Sequence, residues 1–299
     1  MRLLVTGAGG QLSTDLMTLV PDRSAFGSSV AYGIDELDIT DSAAVHATIT
    51  AEAAENGDLV VINAAAWTDV DGAERNEDAA YAVNATASAH LATACAAVGA
   101  PLVHVSTDYV FAGDRPASGP PYVPGDGPDP KTAYGRTKLA GELAVRELLP
   151  DSSWVVRTAW VYGPGKNFVA TMARLSGERE TVEVVDDQRG SPTWSRDLAA
   201  GLLELVEQRP VPGTYHATGR GETSWYGLAR ETFTLLGLDP ERVRPTTSAA
   251  FASSTPRPAY SVLDGGAWAA AGLTPLPSWR DALATARRTP GAVPGFSVG

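Results

Sequence analysis

Tyr134 and Lys138 stand four residues apart in Tyr134-Gly135-Arg136-Thr137-Lys138, and on a helix that spacing sets a phenol and an ammonium on one face. A cation beside a phenol lowers its pKa, so the pair can give or take a proton near neutrality. The same spacing also occurs on exposed helices that do no chemistry, and its meaning here comes from what precedes it. Val105-Ser106-Thr107-Asp108-Tyr109 closes an apolar run, placing the hydroxyls of Ser106 and Thr107 at the carboxyl end of a strand. Open α/β sheets bind their ligands beyond that edge. A hydroxyl there can hold a carbonyl while Tyr134 protonates it; the competing reading of Thr107 is an ordinary turn hydroxyl.

The third group lies at the start of the chain. Thr6-Gly7-Ala8-Gly9-Gly10-Gln11-Leu12-Ser13 follows a short apolar strand and opens a helix. Without side chains at Gly7 and Gly10 the backbone can turn tightly and approach a pyrophosphate, which then sits at the helix N-terminus. Ser13 stands where a third glycine is usual, and serine is still small enough for close helix–strand packing. Asp35 and Glu36 follow the second strand, while the nearby basic residues are only Arg2 and Arg23. An acidic residue at that place favours a free ribose 2′-hydroxyl and a cation a 2′-phosphate. The residues leave NADH and NADPH both open.

The elements that must position these groups alternate. Apolar runs at 2–6, 30–34, 58–63 and 101–106 predict strands, and the stretches 11–19, 42–55 and 79–98 predict helices between them. That order gives an α/β fold with a doubly wound parallel sheet, buried on both faces. The Gly- and Pro-rich stretch 112–130 is irregular, a helix restarts near Thr132, and 154–161 reads as another buried strand. Beyond it, 225–236 is a helix candidate and 289–299 reads as a frayed tail. We therefore expect a dinucleotide-binding domain over 1–160, joined by a returning segment near 193–215, with 161–299 mostly a smaller substrate lobe.

Composition narrows the function. The 299 residues carry 23 Lys and Arg against 35 Asp and Glu, a formal net charge of −12. That balance argues against sequence-independent binding to nucleic acid or anionic membrane, both of which need basic surface. The single Cys95 cannot form an internal disulfide, and the four histidines make no metal-ligand spacing, so no metal is expected. The first apolar run is too short for a signal peptide, and no run approaches the roughly 18 apolar residues of a membrane span. The expected location is the cytoplasm.

Taken together, TGAGGQL, NAAAWTDVDGAE, VNAT, VSTDYVF, YGRTKLAGE, VRTAWVYG, NFVATM and DDQRGSPT resemble the extended short-chain dehydrogenase/reductases, and within them the dTDP-4-dehydrorhamnose reductase family. The resemblance runs from Met1 to about Arg288. It implies reduction of the 4-keto group of a dTDP-4-dehydro-6-deoxysugar by NADPH or NADH, with dTDP-4-dehydro-L-rhamnose as the leading substrate. Under it, Tyr134 is the general acid, Lys138 binds the nicotinamide ribose and tunes Tyr134, and Thr107 positions the carbonyl. Gly7, Gly10, Gln11 and Leu12 cradle the pyrophosphate, Asp38 and Ile39 flank the adenine, and Ala64, Ala65 and Ala66 line the cofactor. On the substrate side it points to Ser106, Trp160, Asn167 and Arg257.

Nearby activities are separated by residues. Nucleotide-sugar 4,6-dehydratases place an Asp-Glu pair after the strand-end threonine; here Thr107-Asp108-Tyr109 lacks the glutamate, which argues against elimination. A retained-cofactor epimerase, a ketoreductase for another deoxysugar and a non-catalytic dinucleotide-binding subunit stay as alternatives. Some members of the family form magnesium-bridged dimers through acidic side chains. Asp15 falls at one such position but Arg196 at another, where a cation would repel the metal. The expectation is a monomer or weak homodimer without a metal bridge.

Overall fold

The computed structural model describes residues 1–250 and 255–298. Its first half is a relay of strands and helices: β1 (Arg2–Thr6), α1 (Gln11–Leu19), β2 (Ser28–Tyr32), α2 (Ser42–Asn56), β3 (Leu59–Asn63), α3 (Val70–Arg75), α4 (Glu77–Tyr81), α5 (Ala87–Val98), β4 (Leu102–Thr107), α6 (Ala133–Leu148) and β5 (Ser153–Thr158). Apolar β-branched runs such as Leu-Val-Val-Ile in β3 are buried along their whole length, as a sheet covered on both faces requires. The second half adds β6 (Val161–Tyr162), α7 (Phe168–Glu178), β7 (Val182–Val185), β8 (Arg189–Gly190), β9 (Thr193–Trp194), α8 (Ser195–Gln208), β10 (Gly213–His216), β11 (Thr223–Ser224), α9 (Trp225–Leu235), β12 (Val243–Thr246), α10 (Gly266–Ala270) and α11 (Trp279–Arg288).

Six strands form one parallel sheet in the order β10-β5-β4-β3-β1-β2. One face packs on α1 and α8 and the other on α2 and α5, each over its own apolar core. Helix α8 lies along α1, and β10 pairs with β5. Trp268, Leu273 and Leu276 also join the core beneath α8. The remaining elements close around two smaller cores built from α7, α9, α11 and the short strands. No helix among the described residues is long and apolar enough to cross a membrane.

Three expectations change. Strand β2 spans 28–32 and not 30–34, because pairing of Arg2–Thr6 with Ser28–Tyr32 sets its limits, and Ile34 lies exposed beyond it. The helix expected over 79–98 is broken by a π-turn at Ala82–Thr86. There the Asn84 amide bonds both backbone groups of Trp67 and the Thr137 hydroxyl, tying the turn to α6. The tail is not frayed: Val293 and Phe296 are buried against α11, and Val298 N–H donates to Arg287 O.

Helix α6, which bears Tyr134 and Lys138, is fixed in two ways. Gly141 meets the π-turn so closely that a Cβ would lie 2.2 Å from Asn84 O. Four residues after Lys138, Glu142 accepts Arg157 Nε and Nη2 at 2.9 and 2.7 Å, both side chains being buried. The pair locks α6 to β5. Glu142→Ala strands a buried guanidinium and should cost about 3–5 kcal/mol in urea unfolding, whereas Glu142→Ala/Arg157→Met should recover part of that loss. Equal losses in the two variants would contradict the pairing argument.

Candidate functional site

The carboxyl ends of β1, β3, β4 and β5 open onto one cleft of about 1190 Å³, larger than a single nucleotide needs. The Gly-rich turn forms its floor at one end. Gly7 has φ +83°, and a Cβ there would lie 2.8 Å from Ala65 N, so only glycine lets the turn approach β3 this closely. Ser13, in place of the third glycine, donates its hydroxyl to Gly7 O at 2.6 Å and lies 3.0 Å from Gly10 O. It ties the turn to the first turn of α1.

Gln11, Leu12, Asp38, Ile39 and Ala64–Ala66 line the same cleft with Gly7 and Gly10. Two acidic side chains beyond β2, Glu36 and Asp38, are engaged locally. Glu36 accepts Gly33 N–H at 3.0 Å, and Asp38 accepts Thr40 N–H and Oγ1 at 2.9 and 2.7 Å. Ser106 Oγ and Gln11 Oε1 line the cleft as buried polar atoms without a protein partner. A dinucleotide fits such a place: backbone N–H groups at a helix N-terminus for the pyrophosphate, and unpaired polar atoms along its length.

The proton-handling groups sit deeper. Lys138 is buried and Tyr134 half-buried, both lining the cleft at the end of β4. The expected lowering of the phenol pKa is not found: burial pushes Tyr134 up to about 12, partly opposed by the Thr107 hydroxyl beside it. Lys138 Nζ donates to Val105 O at 2.7 Å, and burial pushes its pKa down to about 8. A phenol that stays protonated is suited to give a proton, not to take one. Thr107 Oγ1 donates to Asp108 Oδ1 at 3.0 Å and accepts Tyr109 N–H at 3.2 Å.

Trp160 lines the cleft in a left-handed conformation, φ +48°, which a bulky residue adopts only when its surroundings dictate it. Its indole stacks on Trp225 at 3.6 Å, and on another side it crowds Gly190, where a Cβ would lie 2.5 Å from the ring. Trp225 also borders a second cavity, next to the first, lined by Arg174, Arg179, Gln188 and Arg257. Arg257 reaches that cavity, donates from Nη2 to Asp71 Oδ2 at 2.8 Å, and keeps Nη1 buried without a partner.

Asn167 departs from expectation. Its Oδ1 caps α7 through Ala170 N–H, and its Nδ2 donates to Gly163 O and Gly165 O, so the amide is consumed by its own loop. An Asn ahead of an apolar helical run is an N-cap signature, and that signal was readable. Asp15 and Arg196 lie at the contact of α1 with α8, where buried Asp15 accepts the Ser195 hydroxyl and interacts with Arg196. The residue reading missed Trp225, which appeared only as a helix start, and Asp71, which meets Arg257 from 186 residues away.

The family model described as the RmlD substrate binding domain matches residues 1–289. The chain belongs to this family of dTDP-4-dehydrorhamnose reductases. It is 52% identical over 288 residues to the dTDP-4-dehydrorhamnose reductase of Streptomyces griseus, covering 94% of this chain and 91% of that one. It resembles the solved dTDP-4-dehydrorhamnose reductase of Clostridium acetobutylicum with a TM-score of 0.88 and 38% identity, over 95% and 98% of the two chains. The Bacillus anthracis structure, solved in complex with NADP, gives a TM-score of 0.86 and 37% identity, over 94% and 96%.

As a member of this reductase family, the chain has an extended short-chain dehydrogenase/reductase fold, and the low pKa of Lys138 is a measurable property of its cleft. Between pH about 8 and about 10.5 the unfolded lysine holds a proton that the folded one has lost, so folding stability gains with rising pH across that window. The melting temperature of the cofactor-free protein should therefore climb relative to Lys138→Met over this range. A pH-independent difference would show that Lys138 is not desolvated.

Proposed function

We propose that this chain reduces the 4-keto group of dTDP-4-dehydro-L-rhamnose to dTDP-L-rhamnose. The observation that carries the reading is Tyr134 lining, with Lys138 and Thr107, the cleft that the Gly-rich turn floors. Gly7, Gly10, Gln11 and Leu12 would hold the pyrophosphate of NADPH or NADH, Asp38 and Ile39 the adenosine end, and Ala64–Ala66 with Lys138 the nicotinamide half, with Ser106 on the substrate side. When bound, that cofactor supplies the hydride.

The chain's own groups supply the rest. Tyr134 gives its proton to the carbonyl oxygen as negative charge develops there, and the nearby Lys138 ammonium stabilises the tyrosinate left behind. Thr107 fixes the phenol from the side. Trp160, held by Trp225 and Gly190, forms the wall against the sugar. Arg257 lines the second cavity, where a guanidinium suits the oxygens of a nucleoside diphosphate. The two adjacent cavities thus match the two halves of a nucleotide sugar. We assign the cofactor side to 1–160 with the returning segment 193–215, and the substrate side mostly to 161–299.

Tyr134→Phe removes only the proton donor and should lower kcat by about 10²–10⁴. Its affinity for NADH, read by nucleotide fluorescence, should not change. Turnover at the wild-type rate would remove Tyr134 from the chemistry.

A further inference from the structure

A dinucleotide brings a doubly negative pyrophosphate to a chain whose formal net charge is −12. The Gly-rich turn and the start of α1 offer it backbone N–H groups and the partial charge of a helix N-terminus, about half an elementary charge. That end of α1 is open: no side chain caps it, and its first turn holds no acidic residue. The rest of the counter-charge has to come from side chains, and among the described residues Lys138 and Lys166 are the only cations that line the cleft. Lys138 stands at the end of β4, with its Nζ held by Val105 O at 2.7 Å. Lys166 lies beside the Gly-rich turn, where its backbone oxygen accepts the side-chain amide of Gln11, the first residue of α1, at 3.4 Å.

The loop that carries Lys166 is held at both ends. Gly163 packs on the Ser195 hydroxyl with no room for a Cβ, and Asn167 Nδ2 donates to Gly163 O at 2.7 Å and to Gly165 O at 3.1 Å. Gly165, at φ +91°, makes the turn between them. The Lys166 side chain is exposed and enters no ion pair among the described residues. We propose that Lys166 binds the pyrophosphate of the dinucleotide, its backbone fixed by the loop and its ammonium supplying the full charge that the Gly-rich turn lacks. A compact ammonium on a flexible stem suits this task, since it can reach a phosphate oxygen without the fixed fork of a guanidinium. The loop follows β6, so the cofactor is gripped from the second half of the chain as well as the first. Asn167 then serves the cofactor by shaping the loop. This role rests on the cleft being a dinucleotide site.

The test reads binding, by the fluorescence of NADH titrated with the whole chain at low ionic strength. Lys166→Met should weaken NADH about 5- to 20-fold, the scale of a charge-assisted bond to phosphate, and Lys166→Arg should stay within about twofold of the wild type. In about 0.5 M salt the deficit of Lys166→Met should shrink to about twofold or less, because an exposed charge contact is screened and a packing defect is not. NADPH should lose as much as NADH, since the two share the pyrophosphate and differ only at the 2′-phosphate. Affinity for dTDP, read by calorimetry, should not change, because its diphosphate is assigned to the cavity of Arg257. The proposal is overturned if Lys166→Met binds NADH like the wild type, if its loss persists undiminished in salt, or if Lys166→Arg loses as much. It is equally overturned if NADPH alone is weakened, which would put the lysine at the 2′-phosphate, or if dTDP is weakened instead, which would put it on the substrate. A wild-type chain that binds neither dinucleotide would overturn the reading of the cleft itself.

Discussion

The site depends on the register of a parallel sheet, and a buried chain of side-chain hydrogen bonds fixes that register. Thr6, Asn63 and His104 are partners across β1, β3 and β4. Thr6 Oγ1 donates to Asn63 Oδ1 at 2.7 Å, and Asn63 Nδ2 donates to His104 Nδ1 at 3.2 Å. Burial holds His104 far below its ordinary pKa, so it stays neutral and can accept. A slip of one residue would break both bonds and turn every side chain of the strand to the other face. With the register set, the Gly-rich turn, Ala64–Ala66 and Thr107 all leave the sheet at one edge.

Desolvation then divides the work among the groups at that edge. The same burial that pushes Tyr134 up to about 12 brings Lys138 down to about 8, because each is driven toward its neutral form. A reduction needs a donor that holds its proton until charge appears on the substrate, and a phenol with a raised pKa does so. The ion pair of Glu142 with Arg157 and the contact of Gly141 with the π-turn hold α6 where that burial occurs. The substrate side is set by packing: Trp225 and Gly190 keep Trp160 in a conformation it would not otherwise adopt.

Much of this was legible in the residues because the first half of the chain is locally encoded. Short apolar runs, a glycine turn and Thr132 as the cap of α6 each write their own structure. The π-turn was not legible, since it exists only because Asn84 bonds Trp67 and Thr137 from other elements. The order of 292–298 was hidden for the same reason, as Phe296 is apolar cover for α11 and that pairing is tertiary. Tyr134 and Lys138 were readable as a pair, but their electrostatics were not. Spacing brings a cation near a phenol, whereas burial decides which way both titrate. The ion pair of Arg257 with Asp71 joins distant parts of the chain and left no local sign.

The most direct measurement follows a label. NADH carrying deuterium at the transferable position of the nicotinamide is turned over with dTDP-4-dehydro-L-rhamnose, and the sugar is examined by NMR. The account predicts dTDP-L-rhamnose with deuterium at C4, in equal amount to the NADH oxidised. Tight NADH binding without oxidation, or a sugar product with no deuterium at C4, would contradict it.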